Sequence, residues 1–213
     1  MTTCDRQGGF TLLEVIIVLG VLGIVLGTAV PLAGAVVEAD RRQEAVVELS
    51  ELGKALDAYW YDNASFPGSL TANDFLGVHL QPGPQNTAVL DAFANQEYRY
   101  AAAGGVATVY SLGENGVDDG ANGEELVVRV YSAVPGTKRT WQRLRLSVEL
   151  LAEHIEAGGS VAGTWPTVRA AIGLGATFDV DGWGTTLQWT AASHTLTSAG
   201  PDQAFGTADD ITI

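Results

Sequence analysis

The chain has one cysteine, Cys4, and one methionine, Met1. A lone cysteine excludes an intrachain disulfide framework and any cysteine-rich zinc centre, because both need several thiols. Histidine is nearly as scarce. His79, His154 and His194 are scattered, with no H-x-x-x-H or H-E-x-x-H spacing, so a zinc-hydrolase motif is absent. Basic residues are the third scarcity: 11 Lys and Arg stand against 25 Asp and Glu, a formal net charge of −14 over 213 residues. Such a chain repels the phosphates that supply most of a nucleic-acid binder's affinity, which argues against a nucleic-acid partner. No G-x-S-x-G elbow, P-loop or G-x-G-x-x-G string occurs, and the expectation is a protein that is not an enzyme.

What is present is apolar. Hydrophobic residues make up 46% of the chain, enough to bury a core that offsets chain entropy. They are unevenly spread, and no charged residue lies between Val15 and Val37. At ~1.5 Å per residue a helix over this stretch spans a hydrocarbon core of ~30 Å, and it has no polar face, so it reads as a transmembrane segment. Pro31 is expected to bend or locally melt it. The polar flank MTTCDRQGG ends in Gly8-Gly9, placing a small-residue cleavage point before the apolar stretch, whereas a secretory signal is cut after it. Glu14 lies inside the apolar run. A carboxylate at membrane depth costs a few kcal/mol and is normally paired or functional.

The string GGFTLLEVIIVLGVLG, residues 8–23, resembles the N terminus of the type IV pilin and type II secretion pseudopilin family. The resemblance implies cleavage after Gly9 by a prepilin peptidase, N-methylation of Phe10, and pairing of Glu14 with the N-terminal amine of a neighbouring subunit during assembly. Phe10 and Glu14 are thus the implied assembly residues, with other pilin-like subunits and an inner-membrane assembly platform as partners. It also implies a single-pass protein of the bacterial inner membrane, its globular part in the periplasm, that assembles into a pilus-like filament. The pairing is physically sound, because a cation and a carboxylate in low dielectric cancel much of each other's desolvation cost.

Beyond the span the composition becomes amphipathic. Val46, Leu49, Leu52, Leu56 and Tyr59 recur at helical spacing, with Glu44, Glu48, Glu51 and Asp57 on other faces, which continues the helix to about Asp62. Asn63 and Ser65-Phe66-Pro67-Gly68 supply breakers, and a Pro- and Gly-rich loop surrounds Gln81 to Gln85. Strands are predicted over Glu97 to Ala102 and Val106 to Leu112, joined by a Gly104-Gly105 hairpin turn, with a third over Glu125 to Ser132. The plan then restarts. Trp141, Leu144, Val148, Leu151 and Ile155 form a helical stripe ended by Gly158-Gly159, and strands follow over Thr186 to Thr190 and His194 to Ser198. Thr164-Trp165-Pro166 echoes Ser65-Phe66-Pro67, Asp181-Gly182-Trp183-Gly184 echoes Asp91-Ala92-Phe93-Ala94, and Ser198-Ala199-Gly200 echoes Ser111-Leu112-Gly113. These matches, at offsets of about 90 residues, indicate a tandem duplication of a helix-plus-hairpin module. The basic group Lys138, Arg139, Arg143 and Arg145 opens the second helix, against the macrodipole preference. It is expected to meet the acidic face of the first module or of a neighbouring subunit.

The stretch DGWGTTLQWTAASHTLTSAGPDQAFGTADDI also resembles the C-terminal half of a major pseudopilin, with the D-x-W-G start and the closing S-x-G-x-D…D-D loop of that group. Short Gly-rich loops bearing several carboxylates suit calcium, which takes six to eight oxygens. The resemblance implies structural calcium in this loop, on the side chains of Asp202, Asp209 and Asp210 and the carbonyl of Ser198. A weaker second site is expected at Ser111, Asn115, Asp118 and Asp119, in a loop whose carboxylates Glu114, Asp118, Asp119, Glu124 and Glu125 have no Lys or Arg among them.

The expected fold is α+β. A pilin-like long N-terminal helix packs on a small antiparallel sheet, and a second, smaller helix-plus-antiparallel-sheet module follows. The expected divisions are leader 1–9, transmembrane helix 10–37, first module 38–134 and second module 135–213. The expected function is a structural subunit of a type II secretion pseudopilus. The alternatives are a type IV pilus or competence minor pilin, or a filament-tip module recognising a glycan or secreted substrate through Trp165, Trp183 or Trp189.

Overall fold

The computed structural model describes residues 11–93, 96–121 and 126–213, with the side chains of 28–33 and 86 left aside. The leader, Gly9, Phe10, Glu124 and Glu125 therefore lie outside the described residues. The chain divides into two compact units, Met1–Glu44 and Ala45–Ile213, and one helix, α1 (Leu12–Asn63), runs through the division.

In the first unit α1 is apolar on every face from Val15 to Gly27, after Glu14 in its first turn, and Leu12, Ile16, Leu19 and Ile24 are all exposed. Gly20, Gly23 and Gly27 have nothing against them. A helix with no polar stripe cannot settle one face on a core and leave the other to water. Among the described residues no helix is long and apolar enough to cross a membrane; side chains are described up to Gly27 and again from Gly34.

The second unit holds both sheets. The C-terminal part of α1 has most of the expected stripe: Leu49, Leu52, Leu56 and Tyr59 are buried with Phe75, Leu80, Val89, Tyr98 and Val109, whereas Val46 is exposed. A Cβ at Gly53 would stand 2.9 Å from Val128 Cγ1, so glycine lets helix and sheet approach there. The first sheet is antiparallel in the order β1 (Arg99–Ala103), β2 (Val106–Tyr110), β3 (Val127–Tyr131). Gly104 and Gly105, at φ 57° and 76°, make the tight β1–β2 turn, as their positive φ values require. β2 is shorter than expected: beyond Tyr110 the Ser111 amide still donates to the Leu126 carbonyl at 3.0 Å, but the Ser111 hydroxyl and the Leu112 amide turn to Asp91.

The second module repeats this order. Helix α2 (Ala133–Glu156) is followed by a short helix α3 (Trp165–Ala171) and an antiparallel sheet β4 (Gln188–Thr190), β5 (Thr195–Ser198), β6 (Ile211–Thr212). Its core gathers Leu144, Leu151, Trp165, Val168, Leu187 and Leu196. The buried face of α2 is Gly136, Thr140, Leu144, Ser147 and Leu151, whereas Trp141 and Ile155 of the expected stripe are 41% and 38% exposed. The face is rotated because Thr140 Oγ1 accepts the amide of Gly182 at 2.8 Å, which pulls a polar residue inward. One of the expected echoes also differs: Trp165-Pro166 opens α3, with Pro at a first-turn position where its missing N–H costs nothing, while Phe66-Pro67 lies in a loop. Among the described residues the basic group makes no ion pair with an acidic side chain. Lys138 Nζ lies 5.3 Å from the centre of the Tyr61 ring, and Arg143 donates to the carbonyls of Val180 and Asp181 at 2.7 and 2.8 Å.

Candidate functional site

Three groups of residues carry the candidate chemistry. The first is the start of α1. Thr11 precedes the helix, and its amide and hydroxyl both donate to Glu14 Oε2, at 3.3 and 3.4 Å, while the Glu14 amide donates to Thr11 Oγ1 at 3.2 Å. This is a capping box: two helix-end donors are satisfied reciprocally, and a carboxylate sits at the positive end of the macrodipole. The T-x-x-E spacing was readable in the sequence. It gives Glu14 a local structural role beside the implied assembly role. The bonds are long and solvent-exposed, so a cationic amine would compete well for the same oxygen.

The second is a pair of buried carboxylates, one at the head of each sheet. Asp91 is 2% exposed and Asp181 1%. Asp91 accepts the Phe93 amide at 3.0 Å, the Ser111 hydroxyl at 2.8 and 2.9 Å, and the Leu112 amide at 2.7 Å. Asp181 accepts the Trp183 amide at 3.0 Å, the Thr185 amide at 2.8 Å and the Ser198 hydroxyl at 2.7 Å. In each module the serine oxygen in turn accepts a glycine amide two residues on, Gly113 at 3.0 Å and Gly200 at 3.1 Å. The same Asp–Ser–Gly lock thus holds the start of each acidic loop. Sequence reasoning found these residues as echoes, with the serines as metal ligands, and missed the buried aspartates as their partners.

The third is the acidic loops themselves. In the first, Asp118 is opposed from outside the loop: Arg99 Nε of β1 lies 3.3 Å from its Oδ2, and Tyr110 Oη and the Gly120 amide donate to its Oδ1 at 2.9 and 3.1 Å. The expectation of an unopposed loop is therefore corrected, since a basic residue from a neighbouring strand is invisible in local spacing. Asn115 Oδ1 accepts the Val117 amide at 2.9 Å. In the second loop Ser198 pairs with Ile211 across β5 and β6, so the loop closes on itself. A Cβ at Gly200 would stand 2.9 Å from Asp209 Oδ2. Asp209 accepts the Asp202 amide at 3.0 Å and the Thr207 hydroxyl at 2.6 Å, and these bonds, the hydroxyl's foremost, hold its carboxyl below the usual range. Asp210 Oδ2 accepts the Gly206 amide at 2.8 Å, while its Oδ1 is buried without a hydrogen-bond partner. Among the described residues no three His, Cys, Asp or Glu side chains are gathered to hold a metal ion.

The family model described as the prokaryotic N-terminal methylation motif matches residues 4–30. The type II secretion system core protein G of Vibrio cholerae is 35% identical over 132 residues, covering 56% of this chain and 89% of the relative. That of Dickeya chrysanthemi is 33% identical over 130 residues, covering 54% of this chain and 82% of the relative. This chain belongs to the type II secretion pseudopilin family. In the pseudopilin from Aeromonas hydrophila the identity reaches 48%, over 63 residues that make up 29% of this chain and 43% of the relative. No solved structure gives a significant match. Matches that nearly span a relative yet leave over two-fifths of this pseudopilin uncovered agree with a subunit carrying a second sheet module.

Of the three tryptophans of the tip-binding alternative, Trp165 and Trp183 are enclosed, while Trp189 is half-buried. Trp165 is 2% exposed, with Nε1 donating to the Phe178 carbonyl at 2.8 Å, and it lies in the second core with Trp189 packed against it. Trp183 is buried against Gly136. Aromatic rings this enclosed pack a core and offer no flat outer face.

Proposed function

We propose that this pseudopilin is a structural filament subunit whose N terminus is cut after Gly9 by a prepilin peptidase and methylated at Phe10. Before assembly the apolar part of α1 holds it in the bacterial inner membrane as a single-pass protein, with the second unit in the periplasm. On assembly Glu14 exchanges its capping contact with Thr11 for the N-terminal amine of a neighbouring pilin-like subunit, at an inner-membrane platform. The observation that carries this is Glu14 placed at the head of a helix that is apolar on all described faces, holding only long, exposed hydrogen bonds. Such a helix needs a lipid or a bundle of like helices around it.

Calcium is part of the proposal for the C-terminal loop. The buried, partnerless Asp210 Oδ1 and the nearby Asp209 carboxylate are hard oxygen donors of the type calcium takes. Asp202 and the Ser198 carbonyl complete the proposed set. The ion's role is to offset the loop's negative charge and order a segment with few apolar residues. The Ser111, Asn115, Asp118 and Asp119 loop is the weaker candidate, because Arg99 already neutralises Asp118.

Intact-mass and N-terminal analysis of the protein from its native membrane tests the reading. The expected product begins at a methylated Phe10; an unprocessed chain starting at Met1 refutes it.

A further inference from the structure

Helix α2 carries a charged stripe that the folded chain leaves unpaired. Lys138, Arg145, Glu149 and Glu156 follow one another at steps of seven, four and seven residues, which at ~3.6 residues per turn sets all four along one line of the helix. All four are exposed, on the side away from the buried Thr140, Leu144, Ser147 and Leu151. Among the described residues none of them makes an ion pair, and the Tyr61 ring beside Lys138 supplies no counter-ion. Within one copy the order of the charges is unfavourable. The acids stand towards the C-terminal end of α2, where the macrodipole is negative, and the bases towards its start. Arg145 also precedes Glu149, the weaker orientation for a pair four residues apart. Two large apolar residues flank the stripe, one on each side: Trp141 is 41% and Leu146 39% exposed. The stripe is symmetric about the level of Ser147, with Lys138 nine positions before it and Glu156 nine after, Arg145 two before and Glu149 two after. Two such helices laid antiparallel with their Ser147 positions level set Lys138 against Glu156 and Arg145 against Glu149, each twice. The two Leu146 side chains then meet near the centre, and the acidic end of each α2 lies beside the basic start of the other. A parallel pair in register would instead oppose like charges.

We propose that the outer face of α2 pairs antiparallel with α2 of a second copy of this chain, in an isologous contact whose four ion pairs flank the apolar Trp141 and Leu146 side chains. Exposed ion pairs contribute little singly, so the apolar residues supply the association and the charges fix its direction and register. A two-fold contact closes on itself, whereas a filament is built from head-to-tail contacts. The pair is thus a form of the unassembled subunit, which goes beyond the filament role and stands whether or not the N terminus is processed.

Sedimentation equilibrium of the full chain in detergent micelles, over a range of concentrations, tests the pairing, with a reductant present so that Cys4 forms no cross-link. Three forms are compared: the wild type, Lys138→Glu with Arg145→Glu, whose stripe is wholly acidic, and Glu149→Lys with Glu156→Lys, whose stripe is wholly basic. A reversible dimer is expected for the wild type. Each variant alone is expected to associate at least about tenfold more weakly, since four attractive pairs become four repulsive ones. An equal mixture of the two variants is expected to restore the dimer, because every opposed pair is again of unlike sign. All four sites are exposed, and an unchanged tryptophan emission spectrum checks that each variant keeps its fold. Three results overturn the proposal: a wild-type chain that stays monomeric, variants that dimerise as the wild type does, which would place the contact on another surface such as the apolar part of α1, or a mixture that associates no more tightly than its components.

Discussion

Asp181→Ala tests whether the buried aspartates hold the modules together. In the native state this carboxylate takes two backbone amides and one hydroxyl at a site 1% exposed. Alanine leaves three donors without their acceptor, and each such group costs about 1–3 kcal/mol. A water entering the space recovers part of that, so the expected loss is about 3–5 kcal/mol, a large fraction of a stability of about 5–15 kcal/mol. Asp181→Asn keeps an acceptor for both amides but sets an NH2 against the Ser198 hydroxyl, and about 1–2 kcal/mol is expected. Asp91→Ala leaves the same set of donors, two amides and one hydroxyl, without their acceptor in the first module and is expected to match Asp181→Ala within about 1–2 kcal/mol. Urea unfolding of the full chain in detergent, followed by tryptophan fluorescence, gives the three values at constant slope. A loss below about 1 kcal/mol for Asp181→Ala, or an asparagine as harmful as the alanine, would refute the reasoning.

Three further outcomes follow from the same structure. Glu14→Ala is expected to leave processing intact and abolish filaments; normal filaments seen by electron microscopy would remove the amine pairing. Chelation is expected to lower the melting temperature, with calcium at 100 times its Kd worth about 2.7 kcal/mol, and Asp209→Asn with Asp210→Asn should erase the difference; equal melts in calcium and chelator count against the site. Tyr98 donates to Glu48 at 2.6 Å, and burial first, then this bond, raises its pKa, while burial pushes Tyr100 up to about 12. A phenol whose folded pKa is raised contributes stability present below the unfolded value of about 10 and lost as pH rises through the folded one. Above pH ~10 stability is therefore expected to fall by about 1.4 kcal/mol per pH unit for each such tyrosine, and more gently by one such increment in Tyr98→Phe; an unchanged slope in that variant would contradict it.

Much of this was legible where the signal is local. The α1 stripe from Leu49 to Tyr59 and the Gly104-Gly105 turn follow from periodicity and from the glycine preference of positive φ, and both are present in the fold. What was hidden depends on distant partners. The period of α2 was visible but its phase was not, because Thr140 is drawn inward by an amide 42 residues away. Arg99 opposing Asp118, and the two-residue β6 pairing with β5, are likewise long-range facts. The capping box shows a different failure: T-x-x-E was in view, but the depth of Glu14 drew attention from its neighbour Thr11.

The repeated Asp–Ser–Gly lock explains why the two modules echo each other through so few identities. Each module of three short strands holds the start of its loop with a carboxylate, a hydroxyl that donates and accepts at once, and a glycine at positive φ, as Gly113 and Gly200 are. The strands between these points need only be apolar on one face, and their sequences are free to diverge. The acidic loops beyond the locks diverge most. The first is drawn to Arg99, while the second keeps a buried carboxylate oxygen without a partner.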